Sequence, residues 1–134
     1  MDEQRRGSAR KLWDIARRDL GLAEFASGHR EEFANQIAFQ CQQSAEKILK
    51  ACLLAAGFEP PLTHSLRLLG DLLAQAGLPT PDEFDARFLS TFAVGPRYGG
   101  WEVSSEDALA AIEAAERVMA AYEPVLRRLL GESE

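Results

Sequence analysis

Residues that favour strands are scarce in this chain. Its 134 residues include four Val, four Ile and three Thr. Ala, Leu, Glu and Arg are abundant instead, a composition that argues against a large sheet and predicts an all-α fold. There are two histidines, His29 and His64, and two cysteines, Cys41 and Cys52. The cysteines fall eleven positions apart on one predicted helix, about 16 Å along its axis. That is too far for a disulfide between them, and they read as small buried hydrophobes. No Cys or His pair has the spacing of zinc ligands, so no metal or cofactor is expected. No GxxxxGK or GxGxxG pattern occurs, which removes the usual phosphate-cradling loops. No apolar run reaches the roughly 18 residues of a membrane-spanning helix. The opening MDEQRRGSARK lacks the apolar core of a secretory signal. The expected location is therefore the cytoplasm, with no membrane partner.

The net charge of −6 opposes nucleic-acid affinity through bulk electrostatics. Its distribution is uneven. Residues 4 to 18 hold Arg5, Arg6, Arg10, Lys11, Arg17 and Arg18 against a single Asp14. Such a basic helix could contact RNA or an acidic partner, or could be a solvated face.

What the sequence has is helical periodicity. With 46% hydrophobic residues, it is long enough for one domain over 1–134, with a core of about 8–130. Phe33 to Ala56 carries no Gly or Pro and predicts one long helix. Ala34, Ala38, Cys41, Ala45, Ile48, Cys52 and Ala55 form one stripe on it, and Gln36, Gln40, Gln43, Lys47 and Lys50 form another on roughly the opposite face. A first helix is expected over about Ser8 to Ala26, with Ser8 as N-cap and Leu12, Trp13, Ile15, Ala16, Leu20, Leu22, Ala23 and Ala26 giving a broad apolar side. Pro60 and Pro61 mark a connector. Thr63 or Ser65 should cap a third helix ending at Gly77, with Gly70 inside it, where a close helix contact would be one reason for a glycine. Thr80-Pro81-Asp82-Glu83 reads as a capping box opening a fourth helix. That helix should run toward Gly95-Pro96 and bury Phe84, Phe88, Leu89 and Phe92. Ser104 or Ser105 opens a final helix to Leu130, which Pro124 should kink or divide near Glu123. The architecture expected is an antiparallel up-and-down bundle of four to five helices.

The polar residues that could carry chemistry are Gln40, Gln43, Glu46, Lys47 and Lys50 on the second helix, His64 before the third, and Arg97-Tyr98 after the fourth. Glu46 and Lys50 are spaced for a helix ion pair, a few tenths of a kcal/mol that requires no function. His64 suits a cap or a ligand contact. Arg97-Tyr98 suits a clamp on helix-end carbonyls or an anion site.

Three segments together are distinctive: QCQQSAEKILKACLLAAG, then PLTHSLRLL, then PRYGG before the last helix. They resemble the HEPN domain over about residues 10 to 130. The resemblance implies a helical bundle that usually dimerises. In bacteria it often pairs with a minimal nucleotidyltransferase as a two-component, toxin-antitoxin type system, with nucleotide binding as a family theme. Other members are metal-independent ribonucleases, marked by an Arg followed four to six positions later by His. Here residues 23 to 25, upstream of His29, and residues 57 to 60, upstream of His64, contain no Arg, and no His follows Arg97. No catalytic residue is therefore assigned by the resemblance, because the missing His was the obvious proton-transfer group. Gln43, Lys47, Lys50, His64, Arg97 and Tyr98 remain as expected ligand- or partner-binding residues. An unusual ribonuclease using His64 and Arg97, and a pure dimeric scaffold, are the alternatives.

Overall fold

Every regular element in the computed structural model is helical among the described residues, 3–93 and 102–132. α1 spans Glu3–Phe25 and passes through a 3-10 turn, Ala26–His29, into α2, Arg30–Ala55. α3 covers Leu66–Gln75, α4 Glu83–Ser90 and α5 Ser105–Leu129.

α2 is the centre of the bundle. All seven residues of its small-residue stripe are buried, from Ala34 at 5% exposed to Ala55 at 2%. Small side chains let α1 and α5 approach closely, and Ser44 Oγ donates across the first contact to the Ala16 carbonyl at 2.8 Å. Gly57, at φ +98°, ends the helix in the left-handed conformation that glycine adopts cheaply. A kink at Phe33 (φ −113°, ψ 21°) bends its first turn.

The order of the long helices follows from two links. Arg6 donates to the Leu130 carbonyl, which places the start of α1 beside the end of α5. Val103 N donates to Asn35 Oδ1 at 2.8 Å, which places the start of α5 beside the start of α2. α1 therefore runs against both α2 and α5. The segment 56–65 doubles back along α2, so that α3 begins beside its middle.

Several local expectations change. Ser8 lies inside α1, because the helix continues back to Glu3. Ile15 and Leu22 point outward, at 40% and 54% exposed, while Ala9, Trp13, Ala16, Leu20 and Ala23 are the buried face. Ser65 is the cap of α3, accepting from Leu68 N at 3.1 Å. Asp82, not Thr80, caps α4, accepting from Asp85 N at 2.9 Å; Pro81 thus precedes the helix. Its ring packs on Gly70, where an added Cβ would stand 3.1 Å from Pro81 Cδ, so the close contact there is with a loop proline rather than a helix. α4 stops at Ser90, and Phe84 is exposed while Leu89 and Phe92 are buried. Ser104 caps α5, accepting from Asp107 N at 3.0 Å. α5 passes through Pro124 as a single helix, its neighbouring turns held by buried Tyr122, Val125 and Leu126.

Candidate functional site

The polar side of α2 is built around one buried carboxylate. Glu46 is 5% exposed, a position that disfavours a charge unless it is fully hydrogen-bonded. Three groups supply that bonding. Lys50 Nζ lies 2.9 Å from Oε2 one turn further on, His64 Nδ1 lies 2.8 Å from Oε1, and Gln42 Nε2 donates to Oε1 at 3.2 Å. Gln42 is itself fully buried and also donates to the His64 carbonyl at 3.2 Å. Gln43 Nε2 completes the chain by donating to Gln42 Oε1 at 2.8 Å. Burial alone would raise the Glu46 pKa, but the bonds from Lys50, His64 and Gln42 outweigh it and hold the carboxyl below its ordinary range.

Three of the expected site residues, Gln43, Lys50 and His64, thus meet in one network. Lys47 does not join it. It turns toward α1 and pairs with Asp19 at 2.6 Å, both groups largely shielded from water. Arg97 and Tyr98 lie outside the described residues. Gln42 joins the network without being among the expected site residues, although Gln42, Glu46 and Lys50 repeat at every fourth position, the spacing of one helix face. Asp19 had no local signal, since its partner is 28 positions away.

His64 borders a groove of about 810 Å³ between α3 and α4. Arg67, Asp71, Thr80, Glu83, Arg87 and Ser90 also line it. Arg87 is tied to Glu83 at 2.8 Å. Below the groove, Arg117 of α5 makes two bonds to buried Asp85, at 3.0 and 2.9 Å, fastening α4 to α5. With Nδ1 against Glu46, Nε2 of His64 has no hydrogen-bond partner among the described residues. Among the described residues, no cluster of three or more His, Cys, Asp or Glu is placed to hold a metal ion. Cys41 and Cys52 are fully buried, and burial pushes both thiols up to about 12, which leaves neither as a nucleophile near neutral pH.

These features define a small all-helical bundle domain with one carboxylate-centred polar cluster on its central helix. The HEPN domain profile matches residues 9–125, and the chain belongs to the HEPN family. Its fold is similar to the crystal structure of TT1696 from Thermus thermophilus, with a TM-score of 0.72 and 25% identity over 87% of this chain and 97% of that one. No curated protein matches the sequence.

Proposed function

We propose that this HEPN domain is a non-catalytic binding component of a two-component pair with a minimal nucleotidyltransferase, and that its main role is to bind the partner protein. The observation that supports this over nucleotide binding is the pairing of the α2 lysines. Lys47 is held by Asp19 at 2.6 Å and Lys50 by Glu46 at 2.9 Å. A phosphate would have to displace a carboxylate from either one, giving up a shielded, charge-assisted bond. The network then serves to fix the 56–65 segment and the start of α3 against α2.

Two measurements test the reading. Co-expression with the product of a neighbouring nucleotidyltransferase gene should yield a stoichiometric complex. Calorimetric titration with ATP should give no heat of binding at millimolar ligand. Binding of ATP that Lys47→Ala or His64→Ala abolishes would replace this reading with the nucleotide one, which the groove beside His64 favours. Homodimerisation of the free chain is part of the same proposal and is measured by sedimentation. The ribonuclease alternative predicts metal-independent cleavage of RNA, lost in His64→Ala.

A further inference from the structure

One face of α1 is organised for contact with something outside this chain. Lys11, Ile15, Arg18, Leu22 and Phe25 are all exposed and repeat at alternating intervals of four and three, the spacing of a seam that meets another helix. Phe25 is 87% exposed, a large cost in apolar hydration for a residue with no fold-related role. At its far end the seam opens into a groove of about 610 Å³ between Leu22, Phe25, Phe33, Gln36 and Gln40. Among the described residues no carboxylate pairs with Lys11 or Arg18, whereas neighbouring Arg10 and Arg17 are engaged by Glu132 and Asp14. A second observation is independent of the seam. Gly21 sits inside α1 beside it and Gly7 one turn before its first residue, and a Cβ at either would meet nothing within 4 Å. The fold does not require these glycines, which weaken a helix interior, whereas a helix crossing close to the backbone would.

We propose that the Lys11 to Phe25 face of α1 docks an amphipathic helix of another protein that carries carboxylates beside its apolar seam. This gives the partner-binding role a surface and rests on that role. The cations at Lys11 and Arg18 select against a basic partner. They also disfavour a second copy, because antiparallel pairing of two α1 helices about the middle of this seam would bring Arg18 against Arg18. Two unpaired cations separated by apolar side chains are too few for a phosphate backbone, which is held chiefly by charge.

Fluorescence anisotropy with four probes tests the assignment: a synthetic helix with a Leu seam flanked by Glu, the same helix flanked by Lys, single-stranded RNA, and vesicles of mixed neutral and anionic lipid. The Glu-flanked helix should bind, and Leu22→Asp should weaken it roughly tenfold or more, as loss of a seam anchor does. The Lys11→Glu/Arg18→Glu double variant should transfer the preference to the Lys-flanked helix. Gly21→Ala should raise the melting temperature and weaken binding, a combination that a purely structural glycine would not give. Failure of the Glu-flanked helix to bind, binding of RNA or vesicles instead, or a wild-type dimer that Leu22→Asp splits into monomers would overturn the proposal. If Leu22→Asp leaves a co-purified nucleotidyltransferase complex intact, the seam is wrong and the partner-binding reading stands. Because Leu22, Lys11 and Arg18 are exposed, these variants retain the core, which their thermal melts will verify.

Discussion

At Glu46, three donors from two segments meet on one buried carboxylate, and the consequences are specific. Glu46→Ala leaves Gln42 with a buried amide short of an acceptor and removes the partner of Lys50, an expected loss of about 1–3 kcal/mol in urea denaturation. The pH dependence has a definite sign. Because the folded-state pKa of Glu46 is lowered, its contribution is complete above the ordinary carboxyl value of about 4.3 and disappears as pH falls through the lowered value. Glu46→Gln should flatten the stability profile in that acid window. Glu116 behaves oppositely: the hydrogen bond and charge of Glu24 push its pKa up, so the ionised pair opposes folding at neutral pH. Glu116→Gln should raise the melting temperature at pH 7, with the gain vanishing below about pH 4.3.

Among the elements, α2 was the most legible from sequence because its buried stripe repeats at helical spacing over seven positions, each of which is buried. On its polar side the Glu46–Lys50 pair was legible from its i,i+4 spacing, whereas the bonds of Lys47 to Asp19 and of Glu46 to His64 were not, because those partners come from other segments of the chain. α4 shows where local chemistry misleads. Thr80 and Asp82 both suit an N-cap, and Pro81 packing on Gly70 leaves the later residue to start the helix. Phe84 then falls on the solvent side, so counting aromatics overestimated what this short helix buries. Pro124 likewise lacks one helical donor, but buried neighbours on both sides carry α5 through it. The Asp85–Arg117 bond also joins elements that sequence spacing could not connect. Arg117→Ala should cost about 2 kcal/mol, since a carboxylate that is 4% exposed loses its charge-assisted bonds, as read by chemical denaturation.

For the whole molecule, the all-helical bundle was readable from composition and periodicity, whereas its pairing order was not. That order depends on links between distant residues, such as Asn35 with Val103. The core can be probed through its two thiols. Cys41 and Cys52 are 0% exposed, so an aromatic disulfide reagent should label neither in the native protein and both after unfolding, and its rate should report opening of the bundle. The clasp of Arg6 and Arg10 on Leu130 and Glu132 also fixes how the domain responds to force. Since those contacts sit where α1 begins and α5 ends, tension applied between residues 3 and 132 loads them first. The outer helices would then peel apart contact by contact, as a zipper opens. A pull applied along one helix against another would have to shear many contacts at once, so this domain should yield at low force when stretched by its ends.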